Sequence, residues 1–319
     1  MTKLSHGRLF DSEDDEQRIE QMLVSGRKIV QDAIDEYKPV AIFAGFSGGN
    51  DSIVATHFAC TEFGAAAIHC NTMIGVEKSR IHARSVADIR GWHFLEKLAV
   101  AEGPPKRHRD GSPFDQATLP TGKWIDGATA YEEFVFNFGM PGPGQHRRMY
   151  QRLKERSFSA FKRDAKRGKS RRSHVMFITG IRHDESAIRA GYQRAVTANG
   201  SDIWVNPFYW NTKFDFELYR QEFGLPRNPV TDCIGFSGEC LCGTMGRPEE
   251  LDAVEKVEPE TWKYIKSLED KCSSLGLPCK YGTRPEKTKT TNDLQLLLFG
   301  DEPDFQPACV GCIRRRIET

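Results

Sequence analysis

The feature that most constrains this chain is the stretch SGGNDS (47–52), which interrupts a run of apolar residues. The preceding VAIFAGF (40–46) has the continuous apolar character of a strand buried on both faces, and a helical pattern follows to Phe63. A strand that ends in glycines and starts a helix gathers unpaired backbone N–H groups at the positive end of the helix dipole. The stretch therefore predicts an anion site with phosphate as its natural occupant; the alternative is a plain strand-to-helix turn, for which glycine and serine are ordinary residues.

Apolar segments on both sides of this stretch alternate between strand and helix patterns. Strands are predicted at 65–70, 92–100, 174–181 and 202–208, and helices at 13–37 and 77–90. This alternation predicts an α/β fold with a doubly wound parallel sheet, Rossmann-like in type. We predict three regions along the chain: an N-terminal helical extension at 1–38, a nucleotide-binding domain at 39–225, and a loop-rich, cysteine-bearing C-terminal region at 226–319 with a helix near 258–276.

Charge is balanced over the whole chain but not locally. The 45 lysines and arginines nearly cancel the 44 aspartates and glutamates, so net charge indicates no particular partner. Residues 101–128 are rich in proline, glycine and charge, which suggests an irregular excursion or lid within a segment 101–172. Residues 146–172 carry twelve lysines and arginines. They form either a solvated helix face, with Tyr150, Leu153, Phe158 and Phe161 packed on the other side, or a contact for DNA or another nucleic acid.

The N-terminal residues are polar and acidic, and no window approaches the roughly 18 apolar residues of a membrane span. We therefore expect a cytoplasmic protein with no membrane partner. Nine cysteines without a secretory signal indicate thiols or metal ligands rather than disulfides.

Four segments resemble one known family. SGGNDS (47–52) resembles the pyrophosphate-binding loop, S-G-G-x-D-S, of the adenine nucleotide alpha-hydrolase-like (PP-loop) superfamily. NTMIGVE (71–77) and GIRHDESAIR (180–189) resemble the D/N-T-G and G-x-R-x-x-E-S-x-x-R segments of its phosphoadenosine-phosphosulfate (PAPS) reductase-like branch. The segment 206–244 resembles that branch's region of proline, tryptophan, tyrosine, G-L-P-x-N-P and cysteines. The resemblance covers about residues 40 to 245 and includes the DNA phosphorothioation sulfur-transfer ATPases.

The resemblance implies ATP and Mg²⁺ as ligands, and an ATP pyrophosphatase that adenylates an acceptor for sulfur insertion, with DNA as the suggested acceptor. A cysteine desulfurase would be the sulfur-donor protein, and an oligomer is possible. The alternatives are a PAPS or adenosine-phosphosulfate reductase and a nucleotide-binding subunit without turnover. The sequence contains no glutamate-cysteine-glycine segment, which carries the attacking thiol in assimilatory reductases, so the reductase nucleophile is unaccounted for.

The same resemblance assigns the site residues. Catalysis is assigned to Asp51, Arg182 and Arg189. Nucleotide contacts are assigned to Ser47, Gly48, Gly49, Asn50, Asp51, Ser52, Asn71, Thr72, Gly180, Arg182, Glu185 and Ser186. The positions of the two arginines in the sequence support the same assignment. Arg182 follows a buried strand directly, so it lies at the carboxyl edge of the sheet, where a guanidinium can hold phosphate or sulfate with two hydrogen bonds. Arg189 lies two helical turns further on, and so on the same face if the stretch is helical.

Five cysteines have the spacing of metal ligands. Cys240 and Cys242 form a C-x-C pair, Cys309 and Cys312 a C-x-x-C pair, and Cys233 lies seven residues before Cys240. Two short-spaced pairs fit four thiolates around one metal centre, either a 4Fe–4S cluster or Zn²⁺, with one of Cys233, Cys240 and Cys242 spare. The alternative is cysteines in turns without metal. The family resemblance favours iron–sulfur.

Overall fold

The computed structural model describes residues 13–101, 128–185, 194–246 and 248–282. Most of the predicted lid, and also Ser186, Arg189, Cys309 and Cys312, lie outside these ranges. The chain divides into two compact units. The first comprises Met1–Ile68, Ala83–Leu95 and Arg163–Asn228, and the second His69–His82, Glu96–Lys162 and Pro229–Thr319.

Helices and strands alternate along most of the described chain, as the sequence predicts. The strands are β1 (Ile42–Gly45), β2 (Ala66–Asn71), β3 (Phe94–Leu98), β4 (Val175–Ile178), β5 (Val196–Asn199) and β6 (Asp202–Val205). The α-helices are α1 (Glu13–Tyr37), α2 (Asn50–Phe63), α3 (Glu77–Ile89), α4 (Ala130–Phe138), α5 (His146–Tyr150), α6 (Arg156–Ala165), α7 (Lys213–Glu222), α8 (Pro229–Ile234), α9 (Pro248–Val257) and α10 (Pro259–Ser274). A π-helical turn at Gln151–Glu155 joins α5 to α6, and short 3-10 turns occur at Pro143–Gln145 and His183–Glu185.

The six strands form one sheet in the order β3-β2-β1-β4-β6-β5. The pairs β1–β2, β1–β4 and β4–β6 are parallel, which confirms the predicted α/β class. The edge strand β5 differs, because it pairs antiparallel with β6. Only Gly200 and Ser201 separate these two strands, and Gly200 has a φ of +57°, so the connection is a two-residue hairpin with glycine at its first position.

The order of the strands reverses between β1 and β4, which are neighbours in the sheet although far apart in sequence. Their register pairs Ala44 with Ile178, the last or next-to-last residue of each strand. The loops that follow β1 and β4 therefore leave the carboxyl edge of the sheet side by side. In open α/β sheets this reversal point is where ligands bind.

The core of the first unit explains why these strands are apolar throughout. Side chains of β1, β4 and β6 alternate between faces, and Ala44, Ile178 and Val205 join a buried cluster with residues of α1, α2 and α7. On the opposite face Phe43, Phe177 and Trp204 are buried and stack in a row, with ring centroids 5.8 and 4.8 Å apart. Burial on both faces leaves only the ends of the strands for polar chemistry.

The second unit is more helical than its glycines and prolines suggest. Helix α4 begins with a capping box, in which Thr129 and Glu132 exchange hydrogen bonds between side chain and backbone. Three further helices, α8, α9 and α10, each start at a proline, the residue suited to a first helical position. Of these only α10 is predicted from the sequence. The segment 235–246, which carries Cys240 and Cys242, has no regular helix or strand, as expected.

The basic segment is helical from His146 to Ala165, interrupted by the π turn. Its apolar residues Tyr150, Leu153, Phe158 and Phe161 are all buried. Of its basic residues, Arg147 and Arg148 are exposed, whereas Arg152 is half-buried and pairs with the buried Glu133 at 2.8 Å. In the part of the chain that the structure describes, every helix is too short or too polar to cross a membrane.

Candidate functional site

The glycine loop, which we define as residues 47–52, lies in the first unit at the carboxyl end of β1. Gly48 has a φ of +76°, a conformation that favours glycine, and Gly49 is the extended N-cap of α2. The Ser47 and Ser52 hydroxyl oxygens are 3.1 Å apart, and the Ser52 hydroxyl also donates to the Gly49 carbonyl at 3.0 Å. Two hydroxyl groups thus lie beside the first turn of α2, whose backbone N–H groups have no partner within the helix. This combination of donors suits an anion.

Arg182 reaches the glycine loop from the end of β4. Its side chain is only 2% exposed, and its Nη2 lies 3.3 Å from Asp51 Oδ2 while its Nη1 donates to Asp184 Oδ1 at 2.7 Å. The ring of Phe216 lies 5.2 Å from the guanidinium carbon and packs against it. A buried guanidinium between two carboxylates and a ring is fixed in position before any ligand arrives. Asp51 and Arg182, both predicted as site residues, are therefore in contact in the structure.

Gly180 has a packing role in this arrangement. A Cβ added at Gly180 would lie 2.7 Å from the Asp51 carbonyl oxygen, closer than real Cβ contacts allow. Only glycine lets the loop after β4 pass this close to the start of α2, and this approach places Arg182 next to Asp51. The side chains of Glu185 and Ser186 lie outside the described residues.

Asn228 holds the glycine loop and was not among the predicted site residues. This residue is fully buried; its side-chain amide donates to the Gly48 carbonyl at 2.8 Å, and its backbone N–H donates to Asn50 Oδ1 at 2.9 Å. The Asn50 carboxamide oxygen thus accepts a hydrogen bond from the protein, and its contact with a nucleotide stays a prediction. The signal for Asn228 was present in the segment GLPRNP (224–229), which resembles the family's G-L-P-x-N-P.

Asn71 and Thr72 lie in the second unit, where their side chains form hydrogen bonds with other residues of the protein. The Asn71 amide donates to Glu96 Oε1 at 2.7 Å, and its Oδ1 accepts from the Met73 N–H at 2.9 Å. The Thr72 N–H donates to Glu239 Oε1 at 2.8 Å, and the Thr72 hydroxyl donates to the Glu239 carbonyl. Thr72 thus holds the loop that carries the C-x-C pair, whereas Asn71 joins β3 to the turn after β2.

Glu239 is the centre of a buried charged cluster in the second unit. Its carboxylate, 2% exposed, has Oε2 3.3 Å from both His69 Nε2 and Arg80 Nε. Burial would by itself raise the pKa of Glu239, but His69, Arg80 and the Thr72 N–H together hold that pKa below its ordinary value. Glu239 is thus an ionised anchor directly before Cys240. A Cβ at Gly75 would overlap the Glu239 carbonyl oxygen, so glycine is required beside this loop.

The described cysteines do not by themselves form a metal site. Cys233 is exposed, Cys240 is half-buried, and Cys242 is buried with its Sγ 3.3 Å from the Thr244 hydroxyl oxygen. Within the ranges that the structure describes, no three His, Cys, Asp or Glu side chains are grouped so that they could hold a metal ion. A four-thiolate site would need Cys309 and Cys312, which lie outside those ranges.

Comparison with known proteins found only weak structural similarities. No family model matches the chain. No curated protein matches it either. A phosphoadenylyl-sulfate (PAPS) reductase from Candida auris, in a phosphate complex, is 13% identical with a TM-score of 0.42, and the match covers 71% of this chain and 94% of that one.

An FMN adenylyltransferase from Candida glabrata also resembles the chain. It is solved with FAD and inorganic pyrophosphate, and with FMN and the ATP analogue AMPCPP. Both structures are 9% identical with TM-scores of 0.42; the matches cover 71% and 72% of this chain and 65% of the adenylyltransferase. Similarities this weak do not indicate an activity for this chain.

Proposed function

We propose that this protein binds ATP with its phosphates at the glycine loop and transfers AMP to an acceptor, releasing pyrophosphate. One observation carries the proposal. At the point where the strand order reverses, the Ser47 and Ser52 hydroxyls, the first turn of α2 and the buried Arg182 are assembled around one loop. The motif SGGNDS, which resembles the pyrophosphate-binding loop of the PP-loop superfamily, supports the same assignment.

The reaction requires no nucleophile from the protein. An oxygen of the acceptor attacks the α-phosphorus of ATP, the bond from that phosphorus to the bridging oxygen breaks, and pyrophosphate leaves with the electron pair. The glycine-loop N–H groups and serine hydroxyls would neutralise the charge that develops on the leaving group. Arg182, already fixed by Asp51, would add a positive charge there without reorganising. Catalysis of this kind consists of positioning and charge neutralisation.

Asp51 is the residue that would hold Mg²⁺. Magnesium in nucleotide sites is bound through one or two carboxylates, with substrate phosphates and water supplying the other ligands. The Asp51 carboxylate is partly exposed at the glycine loop and fits this role. When bound, the ion would neutralise phosphate charge. Arg189, Glu185 and Ser186 remain predicted contacts of the same nucleotide.

The acceptor we propose is a nucleic acid that is activated for sulfur insertion, with a cysteine desulfurase as the sulfur donor. The family resemblance and the basic segment 146–172 support this choice. Residues 166–174 come just before β4, so they lie at the amino edge of the sheet, away from the glycine loop. The exposed Lys169, Arg171 and Arg172 are therefore not placed to contact the reacting group of an acceptor. A thiolate-held 4Fe–4S cluster or Zn²⁺ stays a prediction that depends on Cys309 and Cys312.

The test is to follow the label of α-³²P-ATP in the presence of Mg²⁺ and DNA, together with pyrophosphate release. We expect pyrophosphate and AMP-linked product in equal amounts, and loss of both in Arg182→Ala but not in the surface variant Ile89→Ala. Sulfite release from labelled PAPS, with no pyrophosphate from ATP, would instead identify a reductase. ATP binding with no turnover on any acceptor would identify a nucleotide-binding subunit.

A further inference from the structure

An exposed pair of aromatic rings lies beside the proposed nucleotide site, and nothing in the proposed reaction uses it. Trp210 is 71% exposed, whereas its neighbour Tyr209 is buried. The indole stacks on the His183 ring, with centroids 5.2 Å apart and an angle of 30° between the planes, and Tyr209 contacts it edge-on at 4.8 Å. The exposed indole leaves an apolar, flat surface uncovered that a planar ligand could cover.

The pair is rigidly placed at the carboxyl edge of the sheet. His183 follows Arg182 in the loop after β4, and Trp210 lies in the loop after β6, the neighbouring strand. The His183 N–H donates to the Tyr209 carbonyl at 2.7 Å and joins the two loops. The indole therefore stacks on the residue that directly follows Arg182 in the chain, and the Arg182 guanidinium contacts Asp51.

A second exposed aromatic residue, Phe214, lies four residues after Trp210 in the chain, and a cation from α1, Arg18, lies against it. Phe214 is 53% exposed, and the guanidinium of Arg18 lies 5.5 Å from the centre of its ring. Arg18 is itself fixed by a 2.7 Å ion pair with Asp215. Proteins bind single-stranded nucleic acid by combining positive charge with aromatic rings on which bases stack, because every base has a face that can stack.

We propose that the His183–Trp210 platform stacks a base of a single-stranded nucleic-acid acceptor and so presents its backbone to the nucleotide site. The proposal rests on the proposed function. An acceptor base fits better than the adenine of ATP, because small cofactors bind in concave sites that bury most of their surface. The Trp210 ring is open on its outer face and offers one stacking surface, as sequence-tolerant strand binding requires.

The experiment measures binding of a short fluorescein-labelled oligodeoxythymidylate by anisotropy at one fixed salt concentration, with ATP binding measured in parallel. We expect Trp210→Ala to raise the oligonucleotide Kd by about 5- to 100-fold, the effect of losing one stacked base. Trp210→Phe should retain most of the affinity. The matched control is Ile89→Ala, which removes an equally exposed side chain (77%) elsewhere in the first unit and should change nothing.

Three results would overturn the platform: wild-type protein that does not bind the oligonucleotide, equal affinities for wild type and Trp210→Ala, or a loss of ATP affinity in Trp210→Ala as large as the loss of oligonucleotide affinity. The last would assign the ring to the nucleotide instead. Protein that binds the oligonucleotide through Trp210 but binds no ATP would support the platform and overturn the proposed function, so the two failures are distinguishable.

Discussion

Replacing Asn228 by alanine should weaken ATP binding even though Asn228 is placed to touch no part of the nucleotide. The substitution removes the amide that donates to the Gly48 carbonyl at 2.8 Å and keeps the backbone N–H that donates to Asn50 at 2.9 Å. The Gly48 carbonyl then lacks its buried donor, which costs about 1–3 kcal/mol. The glycine loop is released from the one conformation that directs its N–H groups at an anion.

The loss of affinity follows from the population of the competent loop. If the variant loop occupies that conformation only one time in ten, the apparent Kd for ATP rises about tenfold, which corresponds to about 1.4 kcal/mol of the lost hydrogen bond. The assay is calorimetric titration of ATP with Mg²⁺, with urea unfolding of the same samples.

The matched control is Asn206→Ala. Asn206 is also a buried asparagine of the first unit, and its side-chain amide donates to the Arg194 carbonyl at 3.0 Å, but it does not contact the glycine loop. It should lose a similar free energy of unfolding while ATP affinity stays unchanged. If Asn228→Ala binds ATP as tightly as wild type, or if Asn206→Ala loses just as much affinity, Asn228 does not act by holding the glycine loop.

Three further predictions concern charge, pH and metal. Arg182→Ala should weaken ATP binding by about 1.5–3 kcal/mol in titrations, the range for a hydrogen bond to a charged group. Arg220 is another buried arginine paired with a carboxylate, and Arg220→Ala should lower the free energy of unfolding but leave the affinity for ATP unchanged. Equal losses of ATP affinity in the two variants would contradict the role assigned to Arg182. Burial lowers the pKa of His57 from 6.5 to about 4, so the unfolded chain takes up a proton in this window before the folded one does, and stability should fall as the pH drops from 6.5 to 4. His57→Gln, which keeps a partner for the Tyr219 hydroxyl, should show a shallower fall in urea unfolding; identical pH profiles would count against this. Cys312→Ser should release the metal and leave ATP binding intact. The metal is measured as iron and zinc content and as anaerobic absorbance near roughly 400 nm. A wild-type protein that is fully folded without metal would show that the cysteines hold none.

The sequence predicted what depends on short-range pattern. The apolar run before the glycine loop identified β1, and the spacing after it identified α2. The position of Arg182 after the strand predicted at 174–181 placed that residue at the correct edge of the sheet. Each of these inferences requires only a strand or helix period and the rule that parallel strands end at one edge.

The contacts that hold the site depend on residues distant in sequence, and no local pattern reveals them. Asn228 binds Gly48 and Asn50 across about 180 positions, and Glu239 binds Thr72 across 167. Other misses came from turn chemistry. The Gly200-Ser201 pair is a two-residue hairpin signal that identifies β5. The prolines that begin α8 and α9 favour the first position of a helix, although by composition alone they resemble loop residues.

Calorimetric titration of wild type and Gly48→Val with ATP and with pyrophosphate shows whether the glycine loop holds the phosphates of ATP. Gly48 has a φ of +76°, which a β-branched residue adopts only under strain, and a side chain there would occupy the space of the anion. Wild type should bind both ligands, and Gly48→Val should bind neither while unfolding as a cooperative, folded protein. A folded Gly48→Val protein with unchanged affinity for ATP and pyrophosphate would show that the glycine loop does not hold the phosphates.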